Sequence, residues 1–474
     1  MAASARATRA SGLADRAAVA AVLWTTVLCA VLIDGGYSAT AQLLFIVAAG
    51  IALVAAVAAS QALTRAAITS PPIASLFALA ALSSVSATWS LADSAEALRW
   101  GLVVAGYGLV AVAAAAVHRH LGLASLLALL AVVGTVGAFV GLFAVATHLE
   151  PWAQVSEGAW RPTGTFEYPP ALAFTQVAAL PALLHWMMTA RRRPAAFAAA
   201  GAAAAIAVVV LSDSRLQLAL AAAVIAVAAL GPSVSSRDRT RASVSAALIL
   251  LAAVVTGFSS TASTAPGSGS GSIFRFVVLI LPTLAAAVAW YGWRGSPCDD
   301  WSASPRVLQR AAIVVGAAAL SAAILTVAVD SDPCAAGSRE TITCLSHDRT
   351  KLWAAGLETA GDHPIVGVGA QGFLDGSREE QADSPIRYAH SLPVEALAEL
   401  GPLGLASVLA LFSSVALLLF RTRQTQAGWL LGLPVAAFLI TNTLDWSWHL
   451  AGAGAVWAAA LGGLVASGWT DHSP

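Results

Sequence analysis

His390 is the side chain in this sequence best suited to move a proton. It lies in a polar segment, residues 330–401, that holds about half of the acidic residues of an otherwise apolar chain. A neutral imidazole accepts a proton from a hydroxyl nucleophile. Glu395 and Glu399 follow, four residues apart and so on one face of a helix with Pro393 in its first turn. A surface histidine that caps this helix is the alternative interpretation.

Arg215 is a second candidate because it lies at the junction of two apolar segments. An arginine there is costly unless it is paired or faces a polar cavity. Its planar guanidinium binds phosphate oxygens in a bidentate manner and does not lose its charge. The alternative is a structural ion pair between Arg215 and Asp213. Further polar residues predicted at the same side of the membrane are candidates for substrate binding: Arg161, Arg387 and Asp445.

The composition predicts which elements must hold these residues. Hydrophobic residues make up 58% of the 474-residue chain and charged residues 11%, against roughly 25% charged residues in soluble domains. Apolar runs of roughly 17 to 22 residues recur, long enough to cross a bilayer. The predicted fold class is all-α, a polytopic transmembrane helical bundle, whereas a β-barrel would show short alternating segments. The net charge of zero offers no general attraction for nucleic acid.

Fourteen apolar segments are predicted to span the membrane, and the pair around 216–258 is the least regular. The segments are 17–33, 40–60, 72–88, 101–117, 121–146, 169–188, 195–211, 216–230, 242–258, 273–293, 311–329, 402–420, 427–444 and 449–467.

The charges of the loops predict the orientation of the chain. Arginines, among them Arg65 and Arg119, recur in alternate loops, and such loops face the cytoplasm. Both termini are then predicted in the cytoplasm and the long polar segment outside. The chain accordingly divides into an N-terminal transmembrane bundle, 1–329, an extracytoplasmic loop domain, 330–401, and C-terminal transmembrane helices with a short cytoplasmic tail, 402–474.

Cysteine usage agrees with an outer position for the long loop. Cys334 and Cys344 both fall in it, and a disulfide between them is possible in an oxidising compartment; two unpaired thiols are the alternative. Cys29 and Cys298 are expected to be free. The Cys and His residues lack the spacing of a zinc site, so no metal is predicted.

The outer loop carries helix signals of its own. Asp348 is placed to cap a helix that ends at Gly361, with Trp353 and Leu357 on the face predicted to contact the bundle. Gly367 and Gly369 further along permit a tight turn, with an ordinary loop as the alternative. Near the C-terminus, Trp446 and Trp448 are typical of an interfacial aromatic belt.

Taken in order, these motifs resemble those of the O-antigen ligase and O-antigen polymerase superfamily of bacterial membrane glycosyltransferases. Arg349, then Leu352-Trp353, then His363-Pro364-Ile365-Val366-Gly367-Val368-Gly369 and Phe373 are similar to one family pattern. A second pattern is matched by His390-Ser391, Glu395, Glu399-Leu400-Gly401 and Gly404, although Ser391 replaces the usual Asn and Pro393 is unusual there. Upstream, the resemblance extends to Ser212-Asp213-Ser214-Arg215 and to Trp89-Ser90.

The resemblance implies a metal-independent glycosyl transfer, without a cofactor, by a glycosyltransferase C-like bundle in the bacterial cytoplasmic (inner) membrane. The donor would be a glycan on a polyprenyl diphosphate, and the acceptor a hydroxyl group of a second glycan or glycolipid. His390 would be the base, and Arg215 and Arg349 would stabilise the diphosphate leaving group. Glu395 and Glu399 are candidates for substrate binding, with the positioning of their helix as the alternative role.

Several other functions remain open at this point. A polymerase that extends a lipid-linked glycan and a protein-glycosylating transferase would share this architecture. A transporter or lipid flippase would show internal repeats, broken helices or ionisable groups at mid-membrane, whereas the ionisable residues here cluster at predicted helix ends. A structural membrane protein with a degenerate site is disfavoured by the joint presence of Arg215, Arg349 and His390.

Overall fold

The computed structural model describes most of the chain in five stretches. These are residues 2–156, 159–230, 273–294, 349–381 and 385–469, together with the isolated positions 244, 247 and 249. Predicted features outside them are the spans 242–258 (apart from those isolated positions) and 311–329, and the residues Cys298, Cys334, Cys344 and Asp348.

The described residues confirm the all-α class. They form sixteen α-helices: α1 Ala2–Leu32, α2 Ala39–Ala59, α3 Gln61–Ile68, α4 Pro71–Val85, α5 Ser94–Leu121, α6 Leu123–Thr147, α7 Pro169–Thr189, α8 Arg192–Leu211, α9 Arg215–Leu230, α10 Ile273–Trp293, α11 Arg349–Asp362, α12 Phe373–Gly376, α13 Leu392–Thr422, α14 Gln426–Leu430, α15 Gly432–Leu444 and α16 Ala451–Ser467. Short 3-10 turns lie at Asp34–Gly36, Ser86–Thr88, Gly164–Phe166 and Ser447–His449.

Length and apolarity identify the helices that cross the membrane. Within the described ranges, nine helical segments are long and apolar enough to span a bilayer, and three shorter apolar helices accompany them. These twelve coincide with the twelve predicted segments that fall inside the described ranges. The largest difference is at α13, which begins at Leu392 rather than at Pro402 because the polar stretch before the span is already helical.

A two-stranded antiparallel hairpin interrupts the helical pattern. Strand β1, Ala153–Ser156, pairs with β2, Ala159–Pro162, and Gln154 lies opposite Arg161. The hairpin lies in the connection between α6 and α7. Four-residue strands are too short to leave a periodic signal in the sequence.

The chain separates into two compact units. The first comprises residues 1–126, 331–423 and 438–474, and the second comprises 127–330 and 424–437. The three-part division drawn from the sequence stays a prediction.

In the first unit, α5 packs along α16 at very short range, because both helices have small residues at the contact. A Cβ on Gly462 would lie 1.9 Å from the Ala111 carbonyl oxygen, and one on Gly454 would lie 2.2 Å from the Tyr107 ring. The Tyr107 hydroxyl donates to the Trp448 carbonyl at 2.8 Å.

The aromatic-belt prediction is wrong for Trp448. This side chain is only 2% exposed and makes ring contacts with Trp100, Tyr107 and Trp457 inside the first unit. The apolar sequence around it is buried by protein neighbours, which periodicity alone does not reveal.

The backbone of α13 breaks at Gly401, and residues 365–370 of the preceding polar segment fill the break. Gly401 has φ +64°, and Pro402 has no N–H with which to bond the Ala398 carbonyl. The N–H of Val368 donates to that carbonyl at 3.0 Å, and the N–H of Gly369 donates to the Glu399 carbonyl at 2.7 Å. The predicted tight turn therefore supplies hydrogen-bond donors to two carbonyl groups at the break in the helix.

Positive φ and lack of space explain why two positions in this turn are glycine. Gly367 has φ +68° and Gly369 has φ +83°. A Cβ at Gly369 would lie 2.2 Å from the Ser90 Cα, and one at Gly367 would lie 2.4 Å from the Glu399 carbonyl carbon. The backbone at these two glycines therefore lies in direct contact with Glu399 and Ser90.

The turn between α4 and α5 forms hydrogen bonds with the same loop, at residues 366–370. The Ser90 hydroxyl donates to the Ala370 carbonyl at 2.9 Å, and the Trp89 indole N–H donates to the Val366 carbonyl at 3.2 Å. The Ala370 N–H in turn donates to the Ser86 hydroxyl at 2.9 Å. Motifs far apart in sequence therefore meet through this loop.

Helix α11 forms as predicted but buries a different face. Its buried residues include Leu352, Ala355 and Thr359, whereas Leu357 is 56% exposed. The predicted contact face is therefore wrong for Leu357, whereas Trp353 is half-buried. The close approach to α13 is at Gly356, where an added Cβ would lie 2.7 Å from Val394.

In the second unit, α8 packs against α7 and α10, and α9 packs against α7. The hairpin lies at the C-terminal end of α6 and the N-terminal end of α7, where the chain also passes from α8 to α9.

Candidate active site

His390 lies in the short segment that leads into α13, and it is half-buried. Its Nδ1 lies 3.0 Å from the Tyr388 carbonyl oxygen. Because a carbonyl only accepts hydrogen bonds, Nδ1 must carry the proton. In the neutral ring, Nε2 is then the unprotonated nitrogen and can act as an acceptor or base.

Burial keeps this ring neutral. It lowers the pKa of His390 below its ordinary value, and the positive charge of Arg349 lowers it further. The negative charges of Asp445 and Glu395 and the hydrogen bond to Tyr388 act in the opposite direction without reversing the shift. His390 therefore has the protonation state that a general base requires at neutral pH.

Glu395 holds the backbone immediately before His390. One carboxylate oxygen accepts the Ala389 N–H at 3.0 Å, and the other is hydrogen-bonded to Nε2 of His449. The Glu395 side chain lies in the first turn of α13 and is buried. Both oxygens bind the chain's own groups.

His449 connects Glu395 to the outer loop. The Gln371 side-chain nitrogen lies 3.2 Å from His449 Nδ1, and an amide nitrogen only donates. Nδ1 is therefore the acceptor, and the proton on Nε2 is directed at Glu395. His449 was not among the predicted site residues; the available signal was an ionisable residue close to Asp445 at the end of an apolar segment.

Aromatic rings pack on both faces of His449. The Tyr388 ring is stacked on it at a centroid distance of 3.9 Å, and the Trp100 ring lies at 4.4 Å. Trp446 continues the stack on the far side of Tyr388, at 5.1 Å. Burial raises the pKa of the Tyr388 phenol well above its ordinary value, so the phenol stays protonated.

Arg349 and Asp445 come together beside this group. The Arg349 Nη2 lies 3.6 Å from Asp445 Oδ2, which is longer than a hydrogen bond. The other Asp445 oxygen accepts the Ser447 N–H at 2.9 Å and its hydroxyl at 2.5 Å. Asp445 is buried and Arg349 is partly exposed, so some of the donors of the guanidinium remain available.

The two remaining candidates of this unit also bind protein groups. Arg387 forms an ion pair with Glu96 at the start of α5. Glu399 is buried and accepts the Phe373 N–H at 3.2 Å. The first contact holds the segment around Arg387 against α5, and the second holds Phe373 against α13.

Arg161 and Arg215 belong to the second unit. Arg161 Nη2 lies 2.7 Å from Asp213 Oδ2. The Asp213–Arg215 pair considered from the sequence is therefore not the one observed, because the β-hairpin brings Arg161 to Asp213. Arg215 is the first residue of α9 and is half-buried; among the described residues of its unit, it forms no ion pair.

The structure thus brings His390, Arg349, Asp445 and Glu395 together in the first unit, with His449 as an unpredicted member. Arg161 and Arg215 share the end of the second unit at which α8 passes into α9.

Comparison with known proteins supports the assignment suggested by these motifs. Residues 200–409 match the family model described as O-Antigen ligase. The predicted resemblance to the O-antigen ligase superfamily is confirmed. The chain is thus similar to membrane glycosyltransferases of the O-antigen ligase or polymerase type, and the matched region contains Arg215, Arg349 and His390. No curated protein matches the chain at a significant level.

Proposed function

We propose that the protein is an O-antigen ligase-like glycosyltransferase. It moves a glycan from a polyprenyl diphosphate carrier to a hydroxyl group of a second glycan or glycolipid, at the outer face of the bacterial cytoplasmic membrane. The observation that carries the proposal is the hydrogen bond from His390 Nδ1 to the Tyr388 carbonyl, which leaves Nε2 free to accept a proton.

In the proposed reaction, the acceptor oxygen attacks the anomeric carbon of the donor. The bond between that carbon and the diphosphate oxygen breaks, and the polyprenyl diphosphate leaves with the electron pair. The hydroxyl proton moves to His390 Nε2. A correctly placed general base contributes about 10² to 10⁴-fold to such a step.

Asp445 supports this step electrostatically. Its negative charge favours the protonated form of His390, which is the form produced when the acceptor loses its proton. We therefore assign Asp445 to stabilising the imidazolium, and Glu395 and Glu399 to positioning, because their carboxylate oxygens bind protein groups.

The arginines supply the positive charge that the leaving group needs. A diphosphate leaves without being protonated when cations stabilise its charge, so the reaction needs no metal ion. Arg349, beside His390, and Arg215, at the start of α9, are the proposed cations. Arg387 and Arg161 bind Glu96 and Asp213 and are assigned to holding the fold.

A deletion strain tests this function. Loss of the protein should leave glycan on its polyprenyl diphosphate carrier, and the length of that glycan distinguishes the two closest alternatives. A full-length intermediate indicates a ligase, and a single-unit intermediate indicates a polymerase. No accumulation of lipid-linked glycan would contradict both.

A further inference from the structure

His449 is a buried ionisable side chain for which the proposed mechanism has no direct use. It ends the 3-10 turn Ser447–His449, between α15 and α16, and is 2% exposed. A buried polar group of this kind is costly unless each of its polar atoms has a partner. Both ring nitrogens have one, Gln371 and Glu395.

The backbone of His390 requires outside support. Its φ of +53° lies in the left-handed region, which is sterically unfavourable for a non-glycine residue. Such a conformation persists only where neighbours impose it. Any support must act through the two preceding residues, Tyr388 and Ala389, or through the helix that follows.

His449 contacts Tyr388 directly and reaches Ala389 through Glu395. Its Nε2–H is bonded to the Glu395 carboxylate, whose other oxygen holds the Ala389 N–H at 3.0 Å. Its ring is stacked on Tyr388 at 3.9 Å, and the Tyr388 carbonyl orients the His390 ring. One buried imidazole therefore fixes the two residues that set the direction of the base.

We infer that His449 is a positioning residue, which holds His390 in the orientation needed for proton transfer through Glu395 and Tyr388. The inference rests on the proposed function for its kinetic consequence. The structural consequence, the orientation of the His390 ring, is independent of it.

Two substitutions separate the hydrogen bonds of His449 from its ring contacts. His449→Phe keeps a ring against Tyr388 and Trp100 but cannot donate to Glu395. His449→Gln places an amide N–H near the position of Nε2 and loses the ring. His118→Phe is the matched control, because His118 is on the same helix as Trp100 but about 27 Å further along it.

The kinetic measurement is glycan transfer by purified full-length protein, corrected for the folded fraction. His449→Phe should lower kcat about 10²-fold, the effect expected of a misplaced catalytic group, with an unchanged KM for the donor. His449→Gln should recover part of kcat, and His118→Phe should match wild type. A folded His449→Phe protein with wild-type kcat would overturn the inference; if that variant does not fold, a folded His449→Gln protein with wild-type kcat would do so, because it has lost the ring stacked on Tyr388.

A second readout does not depend on activity. Diethyl pyrocarbonate modifies neutral imidazoles, and peptide mass spectrometry reports the rate at His390 alone. Release of the ring should raise this rate in His449→Phe and leave it unchanged in His118→Phe. An unchanged rate in both would overturn the positioning role, whereas a fully active His390→Ala protein would overturn the proposed function and leave this readout intact.

Discussion

The Nδ1 atom of His390 lies 3.0 Å from the carbonyl oxygen of Tyr388, two residues earlier. This contact sets the tautomer of a half-buried imidazole and directs its basic nitrogen away from the backbone. Burial lowers the pKa of the same ring. Conformation and protonation state therefore both suit a general base.

The pH dependence of transfer should be displaced in opposite directions by two substitutions. Only neutral His390 accepts a proton, so kcat/KM is lost as pH falls through its lowered pKa. Arg349→Gln removes a positive charge that lowers this pKa, and the loss should begin at higher pH. Asp445→Asn removes a negative charge that raises it, and the loss should begin at lower pH. Displacement of both profiles in the same direction would contradict the assignment.

Gly369→Ala should detach the outer loop from the turn that follows α4. The added Cβ would lie 2.2 Å from the Ser90 Cα, in a backbone with φ +83°. We expect a lower melting temperature and faster proteolysis within residues 363–372. Gly361→Ala is the control, because an added Cβ there has nothing within 4 Å, and equal sensitivity of the two variants would count against the tight packing described here.

Glu395→Gln should destabilise the protein by about 1–3 kcal/mol, the cost of leaving a buried polar group unsatisfied. The amide cannot accept from both the Ala389 N–H and His449 Nε2–H, as the carboxylate does. Thermal unfolding in detergent measures the change. Glu358→Gln, on the exposed face of α11, is the control, and a Glu395→Gln protein as stable as this one would show that the network is dispensable.

Arg215→Lys should reduce transfer about 10²-fold while leaving the melting temperature unchanged. Lysine keeps the charge but loses the planar fork that binds two phosphate oxygens. Arg193→Lys, at an exposed position near the start of α8, should have no effect. Full activity of Arg215→Lys would argue against a diphosphate-binding role for this residue.

The sequence was sufficient to predict the described membrane-spanning helices, but not the short helices α3 and α12. A bilayer demands long apolar runs with satisfied backbone groups, so composition alone located α2, α7, α10 and the other described spans. A capping residue, Asp348, which lies outside the described residues, predicted α11. The contact face of α11 was predicted wrongly for Leu357, because the close approach to α13 is at the neighbouring Gly356.

The candidate site was only partly predictable. His390, Arg349 and Asp445 were selected for their chemistry, and the structure brings them together. His449 was missed because its role depends on Glu395 and Gln371, which are distant in sequence. The pairing of Asp213 with Arg161 was likewise set by a hairpin too short to be recognised from sequence.

The central claim is that His390 takes the proton from the acceptor hydroxyl. The most direct test is single-turnover transfer, in the presence of EDTA, from a polyprenyl diphosphate-linked glycan to a glycolipid acceptor by purified His390→Ala protein. We predict that transfer by this variant falls about 10² to 10⁴-fold, while donor binding and thermal stability match those of the wild type, which remains active in EDTA. Wild-type transfer rates in the folded His390→Ala protein would contradict the account.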